Sequence, residues 1–198
     1  MTTLGVTGGI GSGKSTVCRM LDVLGARVFY ADPVAKRLMQ EDDELRRKIV
    51  EAFGEEAYDE DGALNREHLA SVVFADSDRL AELNALVHPR VFEAFGRVKK
   101  EAARDGVELL VHEAALIFES GGDAHLDVVA VVDAPEDVRI QRVMQRDGVD
   151  EAAVRARMQY QMPAEEKRRR ADVVIRNDGT EEELRLQVEA LYLKLTTC

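Results

Sequence analysis

The 198-residue chain has no tryptophan, 5% aromatic residues, two cysteines, four prolines and too few cations to balance its acids: 27 Lys and Arg stand against 38 Asp and Glu, a formal net charge of −11. Each shortage excludes something. A sequence-independent nucleic-acid binder neutralises phosphates with Lys and Arg, and a polybasic membrane-surface protein needs a cationic face, so neither a nucleic-acid nor a membrane partner is expected. Cys18 and Cys198 lie far apart, with no disulfide framework or metal-ligand spacing between them, and are expected to be free thiols in a reducing compartment. No apolar run reaches the roughly 18 residues of a membrane span. The opening MTTLGVTGGIGSGKS lacks the basic-then-apolar layout of a signal peptide, so a cytoplasmic location is expected. Internal repeats, low-complexity linkers and Pro/Gly/Ser-rich boundaries are also missing.

What is present is the balance of a globular chain, 45% hydrophobic and 33% charged, long enough for one main domain with smaller insertions. Four short apolar runs, Thr3 to Thr7, Arg27 to Ala31, Glu108 to His112 and Val128 to Asp133, with a weaker fifth at Val173 to Ile175, are continuously apolar rather than alternating. That pattern predicts strands of a parallel sheet covered on both faces. Helical patterns over Lys14 to Leu24, Pro135 to Arg146 and Thr180 to Leu195 follow the first, fourth and fifth runs, and the alternation implies a doubly wound α/β sheet.

About 75 residues separate Ala31 from Glu108, where a crossover needs only a dozen or so. This stretch reads as helices at Asp43 to Phe53, Arg66 to Phe74, Ser77 to Val87 and Pro89 to Arg104, with Pro89 expected to break the chain at His88. A second irregular region, Asp150 to Ala171, holds two basic helical segments interrupted by Pro163. The expected organisation is a core of residues 1–33 and 106–198, a lid at about 138–170 within it, and a helical insertion at 34–105.

Gly8-Gly9-Ile10-Gly11-Ser12-Gly13-Lys14-Ser15 fits G-x-x-x-x-G-K-[ST] between a predicted strand and a predicted helix. Glycines let successive backbone N–H groups turn toward phosphate oxygens, and the following helix offers its positive end. Lys14 is suited to the β- and γ-phosphates and the Ser15 hydroxyl to Mg²⁺, while Gly11, Ser12, Gly13 and Thr16 complete the donor set. ATP and Mg²⁺ are therefore the expected cofactors.

Other features narrow the class. No Asn is followed by Lys, so the guanine-reading N-K-x-D of GTPases is missing, and the two D-x-x-G matches, Asp22 to Gly25 and Asp59 to Gly62, follow no strand. Helicase-type ATPases need a basic channel that this acidic chain does not offer. A small-molecule kinase needs an acceptor region, a group to orient the attacking hydroxyl, and cations over the transferring phosphoryl. The insertion supplies the first. Asp32, at the C-terminal end of the second strand, supplies the second, although preceding Pro33 it also reads as a helix N-cap. For the third, the segment Pro135 to Arg170 carries nine cations against seven acids, a local +2. Arg142 and Arg146, four apart, share a helix face and could converge on one anion; a solvated basic face is the plainer alternative. Arg168 to Arg170 read as surface charge. Glu113, past the third strand, could orient Mg²⁺-bound water or be structural, and His88, without a visible partner, reads as structural or substrate-facing.

In order along the chain, LGVTGGIGSGKSTV, Leu24-Gly25-Ala26, Ala31-Asp32, Leu86-Val87-His88-Pro89, Leu116-Ile117-Phe118-Glu119-Ser120-Gly121, Gln141-Arg142-Val143-Met144-Gln145-Arg146-Asp147 and Ile175-Arg176-Asn177-Asp178-Gly179 resemble the dephospho-CoA kinase family over essentially the whole length. The resemblance implies a P-loop three-layer α/β/α core with a mostly five-stranded parallel sheet, a helical acceptor-binding insertion and a helical lid. It also implies ATP-dependent phosphorylation of the ribose 3′-hydroxyl of dephospho-CoA, in a monomer or small homo-oligomer. Carried over by motif, Gly11 to Thr16 would bind ATP phosphates, Asp32 would serve the acceptor hydroxyl, Arg142 and Arg146 would be lid arginines, and Asn177 would lie near the adenine. Two departures stand out: Tyr30-Ala31-Asp32 where the family usually has Asp-Ala-Asp, and Ala115-Leu116-Ile117 where it usually has Pro-Leu-Leu. A different small-molecule or nucleoside-monophosphate kinase, or a non-catalytic ATP-binding regulatory module, are the alternatives.

Overall fold

The computed structural model describes residues 1–73 and 75–197, so Phe74, the expected last residue of one helix, and Cys198 lie outside the described residues. The chain divides into two compact units, Met1–Tyr30 with Val98–Cys198, and Ala31–Arg97. The division falls at Tyr30, three residues before the boundary expected at 33, so Asp32 belongs to the second unit.

The first unit is built on five parallel strands, β1 (Thr2–Thr7), β2 (Arg27–Tyr30), β3 (Leu109–Glu113), β4 (Val128–Asp133) and β5 (Val173–Arg176), in the order β2-β3-β1-β4-β5. β1 is central: Leu4 pairs in register with Val111 on one side and Val128 on the other. Its near-complete burial follows from being enclosed along both edges and both faces. In β4, Ala130 and Val132 join Leu4, Val6, Val17, Leu21, Leu184 and Val188 in the core on one face, against α1 (Lys14–Val23) and α9 (Glu181–Thr196). Val129 and Val131 point the other way, to Ile117 and Phe118, as the period-two alternation of a strand requires. Gly5 faces that second layer, where a Cβ would run into Leu126 and Ile117. The sheet is thus covered on both sides, and the α/β class with a five-stranded parallel sheet is as read from the sequence.

α9 begins at a capping box in which the Thr180 hydroxyl accepts the Glu183 N–H and the Glu183 carboxylate accepts the Thr180 N–H. After β4 come α6 (Glu136–Asp147), α7 (Glu151–Met158) and α8 (Ala164–Arg170), the last starting after Pro163 as the sequence suggested. Ile140, Val143 and Val154 pack α6 to α7, with Ile10 of the glycine-rich loop alongside.

The second unit is helical: α2 (Ala31–Glu41), α3 (Asp43–Phe53), α4 (Arg66–Val73) and α5 (Ser77–Arg104), the last running on into the first unit. Leu45, Ile49, Phe53, Leu69 and Val73 are buried. Two expectations are corrected. Pro89 does not end a helix, because α5 continues through it. The ring removes one backbone hydrogen bond, yet Val87, Val91, Ala94 and Phe95 around it are buried, and that packing holds the turn together. Asp32 is not an N-cap either: α2 starts one residue earlier, at Ala31, which puts Asp32 inside the first turn, where its charge complements the helix dipole.

Candidate active site

The glycine-rich loop leaves the C-terminal end of β1 at the centre of the sheet, where strand order reverses and such folds place their ligands. It turns because its glycines permit it: Gly11 has φ 78° and Gly13 φ 98°, both left-handed. The space is also full, since a Cβ at Gly11 would strike the Arg139 carbonyl and one at Gly13 the Asn177 amide. Gly13 ends the loop as the residue preceding α1, so Lys14 and Ser15 begin the helix and its N-terminal end abuts the loop.

The Lys14 ammonium bends back over the loop, 2.9 Å from the Gly8 carbonyl oxygen and 3.4 Å from that of Gly9. Ser12 is fully buried, and its hydroxyl has no hydrogen-bond partner among the described residues. Ser15 is exposed at the start of α1, available as an oxygen ligand. A cradle that any Cβ would fill, an orphaned buried hydroxyl and a lysine folded over it fit a polyphosphate. For a cation the fit is narrower: among the described residues no three His, Cys, Asp or Glu side chains cluster to hold a metal. An ion here would be held by the Ser15 hydroxyl together with phosphate oxygens, as Mg²⁺ commonly is.

Asn177, directly after β5, locks the loop. Its side-chain amide donates to the Ser12 carbonyl at 2.7 Å, its N–H donates to the Asp133 carbonyl, and its own carbonyl accepts the Arg142 guanidinium at 3.1 Å. Gly13, Thr16, Arg19, Arg142, Asn177 and Gly179 line an open cavity of about 390 Å³ on this side. Arg142 and Arg146 do not converge. Arg146, largely exposed, forms a two-point pair with its neighbour Asp147 at 2.7 and 3.1 Å, and Arg157 shares the same carboxylate. A planar fork beside a carboxylate readily takes it as a partner.

Glu113, buried at the end of β3, lies in register with Val6 of β1 and Tyr30 of β2. Its charge helps burial push the Cys18 thiol far above its ordinary range, against the opposing pull of Lys14. Cys18 is therefore an inert buried thiol. In the second unit Asp32 is exposed on α2, and burial lowers the affinity of the half-buried His88 for a proton.

Two residues at the loop were not singled out from sequence. The Gln161 side-chain carbonyl accepts the Ile10 N–H at 2.9 Å, and nothing in the sequence marked it. Arg139 is buried beside Gly9, with its Nε donating to the Ala134 carbonyl. A signal for it existed: it shares the apolar face of α6 with Ile140 and Val143, where a charge is out of place.

Comparison with known proteins decides the family. The dephospho-CoA kinase family model matches residues 2–183. The chain belongs to the dephospho-CoA kinase family. A dephospho-CoA kinase of Salinibacter ruber is 59% identical over 196 residues, covering 99% of this chain and 98% of the relative. One from Chlorobaculum tepidum is 47% identical over 198 residues, covering 98% and 95%. Among solved structures, a Thermus thermophilus protein superposes with a TM-score of 0.81 at 39% identity, covering 98% of each chain. The dephospho-CoA kinase of Campylobacter jejuni superposes with a TM-score of 0.71 at 26% identity, covering 98% of this chain and 96% of that one. Neither departure from the family pattern, at Tyr30 or at Ala115, disturbs this assignment. No helix among the described residues is long and apolar enough to cross a membrane.

Proposed function

We propose that this member of the dephospho-CoA kinase family phosphorylates the ribose 3′-hydroxyl of dephospho-CoA with ATP, giving coenzyme A and ADP. The observation that carries the reading is a complete phosphate loop, with Lys14 folded over it and Asn177 pinning it, in a chain that matches the family along its length.

In this reading the backbone of Gly11 to Thr16 binds the phosphates of ATP, Lys14 follows charge on the β- and γ-phosphates, and Asn177 with Arg142 borders the nucleoside. Mg²⁺, held by Ser15 and the phosphates, would neutralise charge on the transferring group. Asp32 orients the acceptor hydroxyl and takes its proton, the helical unit 31–97 holds the acceptor, and α6 to α8 act as the lid. Arg146 is a lid cation that must exchange Asp147 for phosphate.

An acceptor screen with purified protein and γ-labelled ATP tests the reading. Label should pass to dephospho-CoA. Transfer to a nucleoside monophosphate or shikimate but not to dephospho-CoA would replace it with another small-molecule kinase, and ATP binding without transfer to any acceptor would favour a regulatory module.

A further inference from the structure

Arg139 is 6% exposed, on the core face of α6. Its backbone is fixed by the loop itself, since the Arg139 carbonyl packs where a Cβ of Gly11 would be. Its guanidinium is fixed at one point, by the Nε donation to the Ala134 carbonyl at 3.0 Å. Among the described residues no carboxylate lies within ion-pair distance of it: Asp133 pairs with Arg168, and Glu136 with Arg155. Its outer nitrogens turn to Gly9, where a Cβ would meet Nη1, and to an open cavity of about 470 Å³ lined also by Gly9, Glu136, Arg155 and Gln161.

A guanidinium stays charged in a protein, and a charge this deep with a single neutral hydrogen bond is poorly compensated. Burial indeed weakens its hold on its proton, with Glu136 and Asp133 pulling the other way from a distance. An anion with oxygens in a plane is the group that would satisfy both outer nitrogens. The loop says which part of a nucleotide that is. Lys14 Nζ reaches the Gly9 carbonyl, so Lys14 and Arg139 meet at the Gly9 end of the loop, whereas Arg142 stands at the opposite, Gly13 and Thr16 end. We propose that Arg139 is a catalytic residue that grips the terminal phosphoryl group of the bound nucleoside triphosphate, dividing the work of α6 with Arg142, which serves the nucleoside side. This rests on the kinase reading above only for the identity of the acceptor.

The test compares binding of ADP and of the β,γ-imido analogue of ATP, by calorimetry, in wild type and Arg139→Gln, alongside kcat with dephospho-CoA. Wild type should prefer the analogue. Arg139→Gln should lose about tenfold or more of that preference, as for one charged hydrogen bond, with ADP affinity within about threefold and kcat down about 100-fold. Equal weakening toward both nucleotides, or no weakening toward either, would overturn the proposal in favour of a structural arginine. If Arg139→Gln does not fold, the ¹⁵N signals of the wild-type guanidinium decide: they should move with the imido analogue and stay put with ADP, and signals that ignore the analogue refute the contact. A wild type that binds the analogue but leaves dephospho-CoA untouched ends the acceptor reading and leaves the Arg139 comparison standing. A wild type that binds no nucleotide ends both.

Discussion

In the proposed reaction Asp32 carries a large functional burden for its surroundings, since it is an exposed carboxylate in the first turn of α2 and the residue two before it is Tyr30. If Asp32 orients the acceptor hydroxyl as proposed, Asp32→Asn keeps the shape and the hydrogen-bond acceptor but loses the proton sink. We expect kcat to fall about 100-fold or more, while the KM for ATP stays within about twofold; wild-type turnover in this variant would remove Asp32 from the chemistry. His112 is a different kind of residue. It is buried in β3 beside the Phe29 ring, and burial pulls its pKa down from 6.5 to about 4, with His125 adding a smaller push. The folded state therefore refuses a proton that the unfolded chain accepts. Stability should be flat above about pH 6.5 and fall as pH drops toward 4, with a share from this residue on the order of 3 kcal/mol. Urea unfolding of wild type and His112→Leu at pH 7 and pH 4.5 isolates that share: the gap between the pH values should shrink in the variant, and an unchanged gap would put the effect elsewhere.

At the scale of elements, strands and their neighbours were the legible part. β1, β3 and β4 declare themselves because strands buried on both faces are filled mainly with Leu and Val, the edge strands β2 and β5 less so because they are only partly buried, and the glycine-rich loop because its backbone geometry and its chemistry need the same residues. α3, at Asp43–Phe53, was legible to the residue, since Asp42 accepts the Leu45 N–H as its cap and Gly54 follows its end. What the pattern hid were contacts made by distant packing. Pro89 reads as a stop in any local view, and only the buried side chains around it carry α5 past it. Pro89 itself is exposed, so its ring costs the helix without repaying in contacts. Pro89→Ala should restore the missing N–H and stabilise the protein by about 1–3 kcal/mol, seen as a higher denaturant midpoint with an unchanged slope. A lower midpoint would mean that the proline shapes α5 in a way that the packing requires.

Across the molecule, the acidic total of −11 hides an uneven spread of charge: residues 135–170 carry nine cations against seven acids, a local +2, while the rest of the chain carries 18 against 31. Counting residues could find that concentration but not its depth. Arg139 and Lys167 were both counted as segment charge, and both are buried; sequence spacing says which face a residue shares, not which carbonyl lies across from it. Lys167 is fully buried, and its ammonium is 2.7 Å from the Ala115 carbonyl oxygen and 2.8 Å from the Glu119 carboxylate. Thr7, from the end of β1, donates to the same Ala115 carbonyl, and Met162, in the joint between α7 and α8, donates its N–H to the same Glu119 oxygen. One ion pair thus ties the central strand, the segment after β3, the α7–α8 joint and α8 into a node. Breaking half of such a pair strands a buried charge, at about 3–5 kcal/mol, whereas removing both charges costs far less. Glu119→Gln should therefore be strongly destabilising, and so should Lys167→Met, while the double variant, in which Gln still accepts the Met162 N–H, should be more stable than the two losses added together. Urea unfolding around that cycle gives the coupling. A value above about 1 kcal/mol is expected, and additivity within about 0.5 kcal/mol would mean that the pair holds nothing beyond its separate contacts, leaving α6 to α8 to be anchored by other contacts such as the Ile140, Val143 and Val154 cluster and the Arg168–Asp133 pair.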